Sequence, residues 1–303
     1  MDGILIINKP PGMTSASVVA RVKRLVKAKK VGHTGTLDPF ATGVLVLCLG
    51  RATRLARFFL HGDKTYDATL TLGIDTDTQD ATGTVIGERE VPDLTEEDLR
   101  AAFGRFTGEI EQAPPIYSAL KHNGVPLYKL ARRGVPVQKP PRTITVHWNR
   151  ILEIDLPRVR FLTRCSGGTY VRTLCTDVGQ ALGCGGHLSA LCRTENSGFS
   201  LEESLGLDEL RDLVVAGRLE DVLVPMTDAL PRMPGFVAGR PLAKKIREGR
   251  AITWKELAPD LSVPQAPEAE HVKVLDDAGN LLAVLDPMAD GVGLSYCCVF
   301  DGS

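Results

Sequence analysis

The carboxylate best placed to do chemistry is Asp38, which lies in a loop rich in glycine and threonine. The run Gly32–Gly43 (GHTGTLDPFATG) holds three glycines, three threonines and one proline. Turn-forming residues at this density do not build a core, so the loop must keep its shape for another purpose. Pro39 fixes its own φ and favours extended backbone at Asp38. The pattern predicts one carboxylate presented from a stiff segment as a nucleophile or base, or, as the simpler alternative, an Asx turn.

This loop is one of six motifs that follow each other along the chain. The other five are Asn8–Ser15 (NKPPGMTS), Lys64–Tyr66 (KTY), Gly168–Thr173 (GTYVRT), Gly183–Leu188 (GCGGHL) and Leu191–Thr194 (LCRT). Together they resemble the TruB-type tRNA pseudouridine-55 synthases over roughly the first two-thirds of the chain. One departure is Cys192, which stands where the family pattern leads us to expect an arginine.

The resemblance implies that the chain converts uridine 55 in the T-loop of tRNA to pseudouridine. This isomerisation breaks the N-glycosidic bond, turns the base and rejoins it to the sugar through C5. Such a reaction needs no redox partner and no energy source, so we expect no cofactor. The sequence has neither a GxxxxGK[ST] phosphate-binding loop nor a GxGxxG after a strand, which is consistent with that expectation.

The same resemblance assigns roles to five residues at the reacting base. Asp38 is the carboxylate beside the sugar carbon C1′, where it attacks the sugar, attacks the base or removes a sugar proton. Arg172 is the guanidinium that keeps this carboxylate ionised. Tyr66 stacks on the uracil and helps to remove the C5 proton. Tyr170 is a second aromatic residue near the pocket, and Leu191 is an apolar wall against the base.

Two further residues are implied to support the substrate. His33 stacks in the space that the target nucleotide leaves when it flips out of the tRNA elbow, a movement that costs a few kcal/mol. Lys9, together with Pro10, supports the Asp38 loop from behind, and Lys9 also neutralises a phosphate.

The predicted RNA grip lies in a Pro-, Lys- and Arg-rich insertion at about 112–142. Phosphate contacts provide affinity, whereas shape and splayed bases provide specificity. The basic stripe at 21–30 adds to this grip. The candidate cations of the insertion are Lys121, Lys129, Arg132, Arg133, Lys139 and Arg142.

Neither the cysteines nor the acidic run predicts a metal site. The seven cysteines contain no C-x-x-C pair and lie mostly among apolar neighbours, as small hydrophobic residues do. An EF-hand loop beginning at Asp75 would need glycine at its sixth position and glutamate at its twelfth, where this chain has Asp80 and Ile86. We therefore predict a polar turn there.

Composition is typical of a globular protein of about two domains. The chain has 303 residues, 43% of them hydrophobic, and a formal net charge of −1. Charge is segregated, because residues 1–70 carry eleven basic and four acidic side chains, while residues 75–111 carry three basic and eleven acidic ones.

No apolar run could span a bilayer, and the N-terminus does not resemble a signal peptide, so we expect a cytoplasmic protein without membrane contact.

The periodicity predicts the elements that position these residues. Strands are predicted near 3–7, 44–49, 66–72, 143–155, 158–165, 271–276, 281–285 and 294–300. Helices are predicted from Ser15, and near 51–60, 95–106, 127–133, 170–182, 208–216 and 242–248. Because strands and helices do not alternate regularly, an α+β fold with a mixed, largely antiparallel sheet flanked by helices is expected.

The resemblance makes residues 1–230 a catalytic domain of the pseudouridine synthase fold and residues 235–303 a PUA-like RNA-binding β domain. Pro225, Pro231 and Pro234 punctuate the connection between them, and a Pro/Glu/Ala stretch at 258–270 interrupts the second domain.

Two other functions stay open. The insertion and the HTGTLDPFATG run resemble the stand-alone bacterial enzymes more than their guide-RNA-dependent relatives, so we expect tRNA as the partner and no obligatory protein partner. One alternative is a guide-dependent or broader-specificity pseudouridine synthase. The other is a tRNA-binding or tRNA-folding protein without essential catalysis.

Overall fold

The computed structural model describes residues 1–258 and 270–300. The strands of its first part are β1 (Gly3–Lys9), β2 (Val31–His33), β3 (Thr42–Leu49), β4 (Lys64–Leu72), β5 (Ile74–Thr76), β6 (Val85–Glu88), β7 (Gly108–Gln112), β8 (Lys121–His122), β9 (Val125–Pro126), β10 (Arg142–Asp155), β11 (Arg158–Cys165), β12 (Gly186–Asn196) and β13 (Phe199–Ser200). The second part adds β14 (Gly235–Val237), β15 (Ile252–Thr253), β16 (Val272–Leu275), β17 (Leu281–Pro287) and β18 (Gly293–Val299).

The α-helices in the described residues lie close to the predicted ranges, except the short helix Trp254–Leu257, which was not predicted. They are α1 (Ser15–Leu25), α2 (Ala56–Leu60), α3 (Glu96–Gly104), α4 (Leu127–Ala131), α5 (Val171–Ala181), α6 (Leu207–Val215), α7 (Arg240–Arg247) and α8 (Trp254–Leu257). The single helix predicted at 51–60 is wrong in its first half, because Gly50–Leu55 forms a 3-10 helix that leads into α2. The Pro/Glu/Ala stretch predicted at 258–270 lies almost entirely outside the described residues.

Nine strands form one mixed sheet, and all but one of its pairings are antiparallel. Its order is β1-β3-β12-β4-β11-β10-β7, with β2 on β3 and β13 on β12. The parallel pairing joins β3 to β12, the strands that carry the chain away from the Asp38 loop and through the LCRT motif. This sheet, flanked by helices, confirms the predicted fold class.

The N-cap of helix α1 is one residue earlier in the chain than the sequence predicts. Thr14 Oγ1 accepts the Ser17 N–H at 3.0 Å and is the N-cap. Ser15, the predicted cap, is buried, and its hydroxyl accepts the Leu37 N–H at 2.8 Å and lies 3.1 Å from the Leu37 carbonyl oxygen. The first residue of α1 is therefore tied to the backbone next to Asp38.

The acidic run at 75–80 begins in β5, and its remainder lies in the turn between β5 and β6, so the predicted polar turn is shorter than expected. Asp80 is buried, and its Oδ1 accepts hydrogen bonds from the Thr78 hydroxyl and from the backbone and hydroxyl of Thr82. Within residues 1–258 and 270–300, no group of three or more His, Cys, Asp or Glu side chains could hold a metal ion. In the same ranges no helix is long and apolar enough to cross a membrane.

A second sheet of five strands, in the order β14-β16-β17-β18-β15, packs against the first. One hydrophobic cluster draws Ile4 and Val46 from the large sheet together with Val284 and Phe300 from the small one. The connecting segment takes part in this cluster through Leu230, which is 7% exposed. The opposite face of β1 and β3 packs on α1 and α6.

Candidate active site

A cavity of about 440 Å³ opens beside the Asp38 loop, within the size range of ligand pockets. Its wall is built from the loop, β4, the insertion, the segment before α5 and β12. Six of the residues predicted from sequence lie on this wall: Asp38, Tyr66, Arg142, Tyr170, Arg172 and Leu191. Chain segments more than 150 residues apart in sequence thus meet at one pocket, because β12 lies between β3 and β4.

Lys9 supports the loop from inside the protein. Its Nζ donates to the carbonyl oxygens of Pro10 (2.9 Å), Met13 (2.7 Å) and Pro39 (3.1 Å), and the residue has no exposed surface. Burial lowers the pKa of Lys9 to about 8. Since all three donors are used on backbone carbonyls, this geometry does not fit the prediction that Lys9 neutralises a phosphate.

Asp38 and Arg172 form a two-point ion pair on the cavity wall. Arg172 Nε lies 2.9 Å from Asp38 Oδ2, and Arg172 Nη2 lies 3.3 Å from Asp38 Oδ1. The Arg172 side chain is 5% exposed, whereas that of Asp38 is 32% exposed. The carboxylate therefore opens to the cavity while its partner stays inside the protein, which is the arrangement of a presented acid with a fixed counter-ion.

Backbone carbonyls fix the guanidinium from two other elements. Arg172 Nη1 donates to the Thr78 carbonyl at 2.8 Å, and Nη2 donates to the Tyr117 carbonyl at 2.9 Å. Thr78 lies in the turn after β5, and Tyr117 lies in the insertion. A single arginine thus connects the Asp38 loop, the acidic turn and the insertion.

The charges around Asp38 include some that raise its pKa and some that lower it. Burial raises the pKa of Asp38, Arg172 and Lys9 lower it, and the carboxylate of Asp80 raises it further. Asp80 Oδ2 lies 3.8 Å from Arg172 Nε, so the two carboxylates share one guanidinium. The net direction is upward, because burial outweighs the two cations.

Tyr66 has a charged neighbour that the sequence analysis did not single out. Arg193, which is opposite Tyr66 in the β4–β12 register, is 1% exposed and lines the cavity. It donates from Nε to the Val44 carbonyl (2.7 Å) and from Nη2 to the Gly35 carbonyl (3.0 Å). Burial raises the pKa of Tyr66, and the Arg193 guanidinium lowers it. The sequence feature that could have pointed to Arg193 is its place in the LCRT motif.

Arg193 also explains a glycine of the loop. Gly43 has φ +98°, and a Cβ there would lie 2.2 Å from the Arg193 carbonyl oxygen. Only glycine fits this position, because both the backbone conformation and the close approach of β12 exclude a side chain.

Tyr170 is positioned by its backbone. Gln112, also missed by the sequence analysis, accepts the Tyr170 N–H at 2.8 Å and donates to the Tyr170 carbonyl at 3.1 Å. The Arg142 guanidinium lies 5.3 Å from the centre of the Tyr170 ring and donates to the Gly168 carbonyl. Arg142 therefore belongs to the cavity wall as well as to the basic insertion.

The other predicted residues lie outside the cavity wall. His33 is half-buried at the end of β2, and its Nδ1 accepts the Gly35 N–H at 3.3 Å. Lys121 is exposed and directly follows the cavity-lining stretch at 118–120. Arg132 is exposed beyond α4, with its guanidinium 5.8 Å from the centre of the Tyr128 ring.

The residues on the wall can act together on a flat, uncharged ring attached to a sugar. A carboxylate, a phenol and an apolar side chain surround the same space, with two buried guanidinium groups behind them. Such a site can stabilise an electron-poor carbon, accept a proton from a ring carbon and hold the ring against an apolar surface.

Comparisons with known proteins identify the family of this chain. Residues 23–171 match the N-terminal domain of the TruB family pseudouridylate synthases, and residues 172–231 match the tRNA pseudouridylate synthase B C-terminal domain. The tRNA pseudouridine synthase B of Syntrophus aciditrophicus is 43% identical over 94% of this chain and 90% of its own length. That of Alkaliphilus oremlandii is 47% identical over 83% of each chain.

A solved structure shares the fold over nearly the whole chain. A chain in the crystal structure of a Cbf5-Nop10-Gar1 complex superposes with a TM-score of 0.75 at 27% identity, covering 99% of this chain and 85% of its own. The two matched family segments hold Asp38, Tyr66, Arg172 and Leu191, and relatives of nearly full length exceed 40% identity. The chain therefore belongs to the TruB family of pseudouridylate synthases.

Proposed function

We propose that this enzyme converts uridine 55 in the T-loop of tRNA to pseudouridine, without a cofactor. The observation that carries the proposal is the Asp38–Arg172 pair at the wall of a cavity that also holds Tyr66 and Leu191. Relatives named tRNA pseudouridine synthase B support tRNA as the substrate.

The proposed reaction uses the wall residues in sequence. The N1–C1′ bond breaks, and Asp38 supplies negative charge or a nucleophile to the electron-poor C1′ or to the base. The base turns against Leu191, and a C5–C1′ bond forms. The proton on C5 then transfers to the Tyr66 phenolate, which must first have lost its own proton, and a proton added to N1 balances the one removed from C5.

The target base must leave the tRNA elbow to enter the cavity. We propose that His33 occupies the space it leaves, and that Lys121, Arg132 and Arg142 contact RNA around the cavity. The proposed division of labour is catalysis by residues 1–230 and additional RNA contact by the PUA-like domain at 235–303. We propose that the enzyme needs no obligatory protein partner. The proposed compartment is the cytoplasm, where the tRNA substrate is found.

Tritium release from an unmodified tRNA transcript labelled at uridine C5 tests the proposal. We expect release from the wild type, and loss of release with Asp38→Asn or with a transcript that carries cytidine at position 55. Both changes are nearly isosteric, so retained RNA binding serves as the control for folding.

The open alternatives give other results. A guide-dependent enzyme would bind the bare transcript without releasing tritium, and a broader-specificity enzyme would release tritium from other uridines as well. A tRNA-folding protein would keep its effect on tRNA folding in the Asp38→Asn variant.

A further inference from the structure

Ser118 carries a buried hydroxyl that the reaction described above does not use. The residue is 3% exposed and lines the cavity with Asp38 and Tyr66. Its Oγ has no hydrogen-bond partner in the part of the chain that the structure describes. A buried hydroxyl without a partner destabilises the fold, so a free hydroxyl on a cavity wall is available to hydrogen-bond a ligand that enters the cavity.

The backbone on both sides of this hydroxyl is fixed. The preceding carbonyl, that of Tyr117, accepts the hydrogen bond from Arg172, and the Ser118 carbonyl accepts the Tyr128 N–H at 3.1 Å. Ser118 is thus held between the partner of Asp38 and helix α4. With the backbone fixed, rotation about χ1 is the movement that carries Oγ between its staggered positions.

The chemistry of the base defines what such a hydroxyl can do. Turning uracil by half a revolution about the line through N3 and C6 exchanges N1 with C5, and O2 with O4. A donor that meets one carbonyl oxygen of the base before the turn therefore meets the other one after it. A serine hydroxyl can donate this bond in both orientations without moving its backbone.

We propose that the Ser118 hydroxyl donates a hydrogen bond to a carbonyl oxygen of the flipped uracil, first in the substrate orientation and then in the turned one. Ser118 is in this view a contact that keeps the free base in plane while its bond to the sugar is absent. The proposal rests on the proposed function, because it needs uridine in the cavity.

Ser118→Ala tests the contact in single-turnover reactions with full-length tRNA. We expect the rate to fall about tenfold, the change for one lost hydrogen bond. The Kd for tRNA should stay within about twofold, since phosphate contacts dominate RNA affinity. The melting temperature should not fall, because the removed hydroxyl has no protein partner. Ser204→Ala, whose hydroxyl lies outside the cavity wall and bonds to the Leu201 carbonyl, is the matched control and should keep the wild-type rate.

Thiouridines at position 55 separate base contact from a structural role. Sulfur accepts hydrogen bonds weakly, so 2-thiouridine and 4-thiouridine should each lower the rate of the wild type. In Ser118→Ala each thiouridine should lower the rate by a factor several times smaller than in the wild type. Equal slowing in both proteins, or a wild-type rate in Ser118→Ala, would overturn the proposal. If the wild type itself does not modify tRNA, the proposed function fails instead.

Discussion

The Nζ atom of Lys9 lies 3.1 Å from the carbonyl oxygen of Pro39, the residue directly after Asp38. A lysine of the first strand thus holds the backbone of the Asp38 loop. With two more carbonyl acceptors, the amine uses three donors, and only the ammonium form has three.

We predict that activity falls as the pH rises through about 8, the pKa of Lys9. Below this pH the ammonium holds all three carbonyls, and above it the neutral amine loses one donor. The kcat of Lys9→Met should be low at every pH and should lack this alkaline limb. Lys64, also with a pKa lowered to about 8 and also bonded to carbonyls, provides the control Lys64→Met. An alkaline limb that survives in Lys9→Met but disappears in Lys64→Met would contradict the assignment.

Arg172 and Asp80 should shift the acid limb in opposite directions. The proposed reaction needs Asp38 ionised, and the pKa of Asp38 is raised, so activity should fall as the pH drops through that pKa. Arg172→Lys loses the two-point pair and should move the limb to higher pH, with kcat lowered by about a hundredfold or more. Asp80→Asn removes the like charge and should move the limb to lower pH. The pH dependence of kcat measures both, and near-normal turnover in Arg172→Ala would show that this guanidinium is not needed.

Arg193→Met should slow the removal of the C5 proton. Without the guanidinium the pKa of Tyr66 rises further, so the phenol becomes harder to ionise. We expect the isotope effect with 5-deuterouridine to increase as this step limits the rate. In the Tyr66→Phe background, Arg193→Met should have a much smaller effect on that step. An unchanged isotope effect together with a lower rate would leave Arg193 only the role of holding Gly35 and Val44.

Gly43→Ala should destabilise the fold more than Gly12→Ala. Both glycines have positive φ, but a Cβ at Gly43 would clash with Arg193, whereas a Cβ at Gly12 would meet no atom within 4 Å. We expect a loss in unfolding free energy of about 1 kcal/mol for Gly12→Ala and at least about 3 kcal/mol for Gly43→Ala. Denaturant unfolding measures the difference, and equal losses would mean that β12 can move away from the loop.

Lys121→Ala and Arg132→Ala should weaken tRNA binding through lost phosphate contacts. Each should reduce the slope of log Kd against log salt by roughly one phosphate contact. Under single-turnover conditions, the rate at which bound tRNA is converted should stay near the wild-type value, because both side chains lie outside the cavity wall. Arg240→Ala, an exposed arginine at the start of α7, provides a comparison for the second domain.

The sequence analysis predicted the residues that belong to dense motifs or regular periods. Asp38 could be found because glycine, proline and threonine cluster around it, and β4 could be found because its apolar and polar residues alternate. The strands β7 and β12 were not predicted. The helix over 51–60 was wrong in its first half, where the chain forms a tighter 3-10 turn after the positive φ of Gly50.

The residues that were missed act through long-range contacts. Gln112 completes the hydrogen bonding of a backbone 58 residues away, and Arg193 reaches carbonyls about 150 residues away. Lys9 was predicted to support the loop, but its full burial, which follows from the placement of three carbonyls around its amine, was not predicted. Such assignments depend on which strands are neighbours, and the sequence pattern does not define that order.

The hydrophobic cluster shared by the large and the small sheet limits how this protein can be truncated. β3 leads directly out of the Asp38 loop. Its side chains alternate between the cluster formed with α1 and α6 on one face and the cluster shared with the small C-terminal sheet on the other. The C-terminal domain is consequently not an exchangeable module that could be deleted or grafted without loss. Removing it would take Val284 and Phe300 out of the hydrophobic cluster that also contains Val46 and Phe59, so a truncated enzyme should unfold at a lower denaturant concentration than the full chain.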